Sequence, residues 1–319
     1  MKGKLYKLVA LCLVSAMLLS FIAACTSSTD KPAPSAGNLA FPMEVIDQTG
    51  RTVIIEKIPD KIISLAPSNT EILYSLGLSE KLVAVTDFCD YPPEAKEKPS
   101  IGGFSTPNME EVVAHSPDLI LATSIHEITI IPQLEQKGFT VLALSPQTID
   151  EVFQAITLVG KITGKEEEAS KMVTEMQNRT KVVTDKVAGL PEGQRPRIFY
   201  ITWHDPLMAP GSGTLQDDLI RKVGGTNITH NLTDYANVSL EVIIDANPEA
   251  MIAGVGHGIE KDLNFQFIET ESRLRDTDAR RNNRIYAVDG NLVSRPGPRI
   301  VDGLEELARL IHPEIFSSS

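Results

Sequence analysis

A long charged segment separates two stretches of the chain that share one alternating pattern. Residues 149–190 show helical spacing that only Gly164 interrupts. Within this segment, residues 165–187 alone would form a helix of about 35 Å at a rise of 1.5 Å per residue. Short runs rich in Val, Ile and Leu alternate with helical segments on either side of it. The sequence therefore predicts two α/β lobes joined by one long helix.

The predicted strands indicate the type of sheet in each lobe. In the first half, "KIISLAP" (61–67) and "KLVAVTD" (81–87) read as buried strands, and the segment between them reads as a capped helix. Buried strands that alternate with helices are typical of a parallel sheet covered on both faces. We predict two doubly wound lobes with parallel sheets. The expected boundaries are a first lobe at 41–160, a bridging helix at 161–192 and a second lobe at 193–319.

The two predicted lobes also resemble each other in sequence. "NMEEVVAHSPDLILA" (108–122) and "VSLEVIIDANPEAMIAG" (238–254) each place a glutamate at the start of a helix. A proline followed by an acidic residue ends each helix, and a buried strand comes next. Two similar lobes without an evident catalytic set of residues suggest a cleft that binds a ligand.

The N-terminus combines an apolar run with a cysteine. Residues 8–24 form an apolar run of 17 residues that follows three lysines, the order found in a secretory signal. The four residues "IAAC" (22–25) resemble a bacterial lipobox, which implies that Cys25 is lipidated on sulfur, that the signal is cut before it and that the new N-terminus is acylated. We expect a signal peptide at 1–24 and a flexible tether at 25–40, which places the protein outside the cytoplasm as a membrane-anchored lipoprotein. The alternative is an uncleaved membrane anchor.

Charge and cysteine content exclude several other classes of protein. The signal holds three of the 30 basic residues and none of the 42 acidic ones, so residues 25–319 carry a net charge of −15. That charge argues against nucleic acid or anionic lipid as a partner. Cys12 leaves with the signal and Cys25 is the predicted acylation site. Only Cys89 remains, so no disulfide framework is possible.

Six segments in order then point to a family. They are "SLAPSNTEILYSLGL", "DYPPEA", "PNMEEVVAHSPDLILA", "VGG", "SLEVIIDANPEAMIA" and "PGPRIVDGLEELARLIHP". Together they resemble the substrate-binding lipoproteins of bacterial ABC importers for cobalamin, ferric siderophores and haem, over residues 41–315. The resemblance implies two lobes bridged by a rigid helix, with the ligand in the cleft between them and delivery to a permease and its ATPase. We expect a monomer with no catalytic function.

The resemblance assigns a docking role to two glutamates. Glu110 and Glu241 match the acidic residues that this family presents, one from each lobe, to arginines of the permease. A carboxylate at the head of a helix can receive a guanidinium through two hydrogen bonds. The alternative is that each glutamate only stabilises the helix N-terminus that it follows.

The ligand site is expected at the carboxyl ends of the parallel strands, where doubly wound sheets place their ligands. Aromatic side chains in this set could stack on a flat macrocycle or on a catecholate. The predicted cleft residues are Ser68, Asn69, Phe88, Asp90, Tyr91, Phe104, His126, Trp203, His204, Asp205, His257 and Arg295. For Arg299, a structural role in "RPGPRI" is at least as good an interpretation as ligand contact.

The expected ligand is cobalamin or another corrinoid. Cobalamin-binding relatives carry several tryptophans in the cleft and this chain has one Trp in all, so a ferric siderophore or haem stays as the alternative. His126, His204 and His257 could each ligate a metal, although the sequence does not say whether they converge. A receptor for bare zinc or manganese and an extracellular enzyme are the remaining hypotheses. The sequence contains no GxSxG, HExxH or Walker motif that would favour the enzyme.

Overall fold

A four-stranded parallel sheet forms the centre of the first lobe. In the computed structural model, which describes residues 40–256 and 262–316, its strand order is β4-β3-β5-β6. The strands are β3 (Ile62–Ser64), β4 (Leu82–Val85), β5 (Leu119–Ala122) and β6 (Val141–Ala143). The helices are α1 (Pro67–Ser75), α2 (Met109–His115) and α3 (Ile130–Gln136), and an antiparallel pair, β1 (Met43–Ile46) and β2 (Thr52–Ile55), precedes the sheet. Cys25, His257 and residues 1–39 lie outside the described residues.

The second lobe repeats the parallel sheet and adds a smaller antiparallel one. The parallel sheet has the order β10-β7-β12-β13, and the antiparallel sheet has the order β11-β9-β8. The strands are β7 (Arg197–Ile201), β8 (Trp203–His204), β9 (Leu207–Pro210), β10 (Thr226–Asn227), β11 (Tyr235–Asn237), β12 (Ala250–Val255) and β13 (Ile285–Asp289). The helices are α6 (Leu215–Lys222), α7 (Leu240–Ala246), α8 (Leu263–Thr270), α9 (Asp278–Arg281), α10 (Gly290–Ser294), α11 (Ile300–Ile311) and α12 (Pro313–Phe316). Two lobes with parallel sheets confirm the predicted fold class.

Two consecutive helices connect the sheets. Helix α4 (Ile149–Thr163) ends at Gly164, whose φ of +71° is a backbone conformation that glycine adopts without the cost of a Cβ. Helix α5 (Glu166–Ala188) then runs for 23 residues, about 35 Å, to the second lobe. Thus residues 161–163, which the sequence assigned to the bridging helix, belong to the end of α4.

The connecting helices form part of the hydrophobic core. Val159 of α4 and Met176 of α5 belong to one cluster of buried side chains with Leu121 of the first sheet and Ile252 of the second. On its polar side, α5 is held to α11 by Arg179, which hydrogen-bonds to carboxylates of that last long helix. The two lobes are therefore joined by helices that are packed into a common core, and not by a flexible linker. Within the described chain, none of the helices combines the length and hydropathy needed to cross a bilayer.

Candidate functional site

A cavity of about 490 Å³ lies between the two lobes. Its first-lobe wall consists of residues that follow the carboxyl ends of the strands, as expected for a parallel sheet. These residues are Ala66, Pro67, Ser68, Phe88, Phe104, Thr123, Ser124, Ile125, Leu144, Ser145, Pro146 and Gln147. The second-lobe wall consists of Leu215, Tyr235, Gly290, Ser294, Arg295 and Pro296. Four of the predicted cleft residues, Ser68, Phe88, Phe104 and Arg295, therefore lie at the cavity wall.

An ion-pair network that includes the wall residue Arg295 joins the two lobes. Arg295 donates Nη1 to Asp90 Oδ1 at 2.6 Å and to Glu71 Oε1 at 3.4 Å. Arg299 binds Glu71 through two hydrogen bonds, Nε to Oε2 at 2.9 Å and Nη2 to Oε1 at 2.6 Å. The network thus pairs two carboxylates of the first lobe with two guanidinium groups of the second. Its formal charge is zero.

Two of the predicted cleft residues, Asp90 and Tyr91, belong to this network rather than to the cavity wall. Burial alone would raise the pKa of Asp90, but the hydrogen bond and the positive charge of Arg295 hold that pKa below its usual value. The guanidinium of Arg299 lies 3.7 Å from the centre of the Tyr91 ring, a cation–π contact. The hydrogen bonds to Glu71 raise the pKa of Arg299. The sequence-based interpretation of Arg299 as a structural residue agrees with these contacts.

His126 differs from its predicted role. Its ring is fully buried, and Nδ1 accepts a hydrogen bond from the Thr123 amide at 3.0 Å. The proton must then lie on Nε2, which donates to the Phe104 carbonyl at 2.7 Å. Burial lowers the pKa of His126, so the ring stays neutral. With both nitrogens engaged, the ring has no free position for a metal, and it instead holds Phe104 at the cavity wall.

Trp203, His204 and Asp205 lie in and just after β8 and do not reach the cavity. The Trp203 indole donates to the Asp205 carbonyl at 2.7 Å, and His204 Nδ1 lies 3.2 Å from Asn264 Oδ1. The sequence indicated that these residues follow a parallel strand directly. The chain instead enters the antiparallel sheet after β7, so the strand-end rule no longer places them at the cleft.

Asn69 is also structural. Its side chain is buried and donates to the Ala122 carbonyl at 3.0 Å, which ties α1 to the end of β5. In residues 40–256 and 262–316, no three His, Cys, Asp or Glu side chains come close enough together to hold a metal ion.

Several wall residues were not predicted. Ser145 and Gln147 follow β6, so the strand-end rule applied to the fourth strand would have found them. Tyr235 lies in β11, where no sequence rule places it at the cleft. Its hydroxyl donates to Gln216 Oε1 at 2.7 Å, and burial is the main reason that its pKa rises to about 12.

Glu110 and Glu241 occupy equivalent positions in the two lobes. Each is exposed, and each is the second residue of a seven-residue helix whose first turn is capped by a side chain, Asn108 in α2 and Ser239 in α7. The pKa of Glu241 is lowered, first by a hydrogen bond from its own backbone and second by a hydrogen bond from the Ser239 side chain. Both carboxylates are therefore accessible from solvent.

The equivalence extends along both helices. Three residues after each glutamate stands an apolar side chain that is exposed, Val113 (41 %) in α2 and Ile244 (38 %) in α7. Residues three apart lie on the same helix face. Each helix is then followed by a residue with positive φ, Ser116 after α2 and Asn247 after α7. The internal sequence similarity thus corresponds to two matching surfaces, one on each lobe, each with a carboxylate beside an apolar side chain.

Comparisons with known proteins agree with this architecture. A family model described as "Periplasmic binding protein" matches residues 62–292. The chain is 32 % identical to an uncharacterized ABC transporter substrate-binding lipoprotein of Bacillus subtilis, YvrC, over 95 % of this chain and 97 % of that protein. A crystal structure of a possible iron-binding (periplasmic solute-binding) protein from Staphylococcus epidermidis superposes with a TM-score of 0.69 at 32 % identity, covering 80 % of this chain and all of that one. The periplasmic vitamin B12-binding protein of Vibrio cholerae superposes with a TM-score of 0.68 at 27 % identity, covering 82 % of this chain and 99 % of that one.

Proposed function

The chain belongs to the periplasmic binding protein family, and we propose that it captures a corrinoid such as cobalamin in the cleft between its lobes. It is a substrate-binding protein of an ABC transporter, a class that works with a permease and an ATPase. In this role the protein binds the chelate and releases it unchanged to the permease, without catalysis.

The charge of the cavity wall is the observation that carries the choice of ligand. Of the wall residues in the described part of the chain, Arg295 alone is charged, and Asp90 already neutralises it. A ligand with carboxylates, such as haem with its two propionates, would enter this cavity without a free cation to receive them. Burying unpaired charge is costly, so a chelate of low net charge is favoured.

Polar and aromatic wall residues also suit a corrinoid. The serines and Gln147 of the wall can hydrogen-bond to peripheral amides, and Phe88, Phe104 and Tyr235 offer flat surfaces to a macrocycle. A whole corrinoid is larger than the cavity, so part of it would lie at the open mouth, where Phe88 is 51 % exposed. The vitamin B12-binding relative is consistent with this proposal.

Cyanocobalamin is expected to stabilise the purified protein against heat. At 100 times its dissociation constant it should add about 2.7 kcal/mol to the free energy of unfolding. For a protein of this size that corresponds to a rise in Tm of roughly 5 °C, measured by scanning fluorimetry in detergent. Haemin, a neutral ferric tris-hydroxamate and Zn²⁺ serve as comparison ligands. A shift with haemin or Zn²⁺ and none with cyanocobalamin would show that the ligand is not a corrinoid.

We further propose that Glu110 and Glu241 dock the protein on its permease. Two exposed carboxylates on separate lobes would set the orientation of the complex through two distant contacts. Val113 and Ile244 would add apolar area next to each ion pair. Because none of these four residues lines the cavity, docking and ligand binding would be separable.

We also propose that Cys25 anchors the protein to the membrane through covalently attached lipid. The Bacillus subtilis relative is described as a lipoprotein, which agrees with the lipobox-like sequence before Cys25. Two or more acyl chains are sufficient for stable anchoring.

Replacing Cys25 with serine is expected to abolish lipid attachment. The Cys25→Ser protein should leave the detergent phase after Triton X-114 partitioning and should not incorporate labelled palmitate, whereas a Cys89→Ser protein should behave like the wild type. If the Cys25→Ser protein partitions as firmly as the wild type, residues 8–24 act as an uncleaved membrane anchor.

A further inference from the structure

We propose that Asp90 determines the charge of the ligand that the cleft accepts, because it neutralises a guanidinium that would otherwise bind anions. This inference rests on the proposed binding of a chelate in the cavity, and it assigns a specificity-determining role to a residue outside the cavity wall.

Arg295 is placed to contact a ligand. It lines the cavity from the second lobe, and its side chain is only 13 % exposed, so water screens its charge weakly. A guanidinium has five N–H donors, and it binds carboxylates through two parallel hydrogen bonds. An unpaired Arg295 would therefore be an anion-binding group in the wall.

Asp90 is the carboxylate that balances Arg295. The other nearby carboxylate, Glu71, accepts two short hydrogen bonds from Arg299 and only a 3.4 Å bond from Arg295. The Arg295–Asp90 bond is much shorter, 2.6 Å. Removing the charge at position 90 would leave Arg295 with a net positive charge, whereas Glu71 would stay paired with Arg299.

Replacing Asp90 should affect packing less than replacing Glu71. Its side chain is 44 % exposed, unlike that of Glu71, which is 2 % exposed. An asparagine at this position keeps the shape and one hydrogen-bond acceptor for Arg295. The Asp90→Asn change therefore alters charge with little change in packing.

The test compares two ligands that differ by one charge, cyanocobalamin and its monocarboxylates, in which one peripheral amide is replaced by a carboxylate. For each protein, isothermal titration calorimetry gives the ratio of the two dissociation constants. The wild type is expected to prefer the amide. In Asp90→Asn the ratio of dissociation constants should change about tenfold in favour of at least one monocarboxylate isomer, equivalent to about 1.4 kcal/mol. High salt should reduce this gain in relative affinity for the monocarboxylate.

Two variants control for indirect effects. Asp87→Asn removes an exposed charge from the same loop, where the carboxylate is hydrogen-bonded by Ser100, and it should keep the wild-type ratio. Asp90→Asn combined with Arg295→Gln should lose the gain in relative affinity for the monocarboxylate, because no guanidinium is left at position 295 to bind the anion.

A neutral ferric tris-hydroxamate and an anionic ferric tris-catecholate provide a second pair of ligands, which share the metal and differ in charge.

The outcomes separate this proposal from the proposed function. If the wild type binds either kind of chelate and Asp90→Asn keeps the wild-type preference, the role of Asp90 is wrong and the binding function stands. A gain in relative affinity for the monocarboxylate that persists in the double variant, Asp90→Asn with Arg295→Gln, would also contradict the role of Asp90. If no corrinoid or ferric chelate binds any of the proteins, the proposed function and the role of Asp90 both fail.

Discussion

Replacing Glu71 with glutamine is expected to lower the free energy of unfolding by about 3–5 kcal/mol. The Glu71 carboxylate is almost fully buried and accepts hydrogen bonds from Arg299 and Arg295. Glutamine would leave the guanidinium of Arg299 without a counter-ion and would place an amide N–H₂ against existing donors. Because the network joins the lobes, the loss should appear in urea unfolding followed by Trp203 fluorescence.

Asp185→Asn provides the matched control for Glu71. Asp185 is also ion-paired, with Lys181, but both side chains are mostly exposed, so its loss should change the free energy of unfolding by about 0.5 kcal/mol or less. The pair Glu71→Leu with Arg299→Met should lose less than Glu71→Gln alone, because no buried charge is left unpaired. A Glu71→Gln protein within about 1 kcal/mol of the wild type would contradict the importance of this network for stability.

Removing both docking carboxylates is expected to reduce transport about tenfold or more while ligand affinity stays unchanged. Each single change, Glu110→Ala or Glu241→Ala, should have a smaller effect, because the other lobe still supplies one charge-assisted contact. The contacts would lie at the rim of an interface, where salt screens them. The loss should therefore be greatest at low salt, because the Debye length is about 30 Å at 0.01 M and only about 10 Å at 0.1 M. Uptake into proteoliposomes that contain the permease and ATPase measures the rate.

Glu111→Ala is the control for docking. Glu111 is exposed and adjacent to Glu110, but the corresponding residue of the second lobe is Val242, so it is not part of the repeated surface. This variant should transport at the wild-type rate. Weaker ligand binding in Glu110→Ala or Glu241→Ala would assign that residue to ligand recognition rather than to docking.

Local patterns in the sequence were sufficient to predict the main elements of the fold. The runs around Ile62, Leu119 and Ile198 are buried strands because each contains enough consecutive apolar side chains to be covered on both faces. The break at Gly164 was visible because glycine, which has no Cβ, adopts a positive φ at little cost and so often ends a helix. The antiparallel sheet of the second lobe was not predicted, since β8 is only two residues long and β11 only three, too short to show a periodicity.

The cleft was predicted only where a local rule applied. Ser68, Phe88 and Phe104 lie near the ends of parallel strands or just after them, and they line the cavity. Trp203 and His204 fulfil the same rule in the sequence, yet they do not line the cavity, because pairing with β9 draws them into another sheet.

The sequence by itself determined the two-lobed α/β architecture, the connecting helices and the repeated glutamates, because each depends on residues close together in the chain. Only the tertiary structure decided which charges neutralise each other. Arg295 and Asp90 are 205 positions apart, and Arg299 and Glu71 are 228 apart. No periodicity or cap links such distant residues. Their pairing depends on how the two lobes pack, and that packing leaves the cavity wall without a free charge among the described residues.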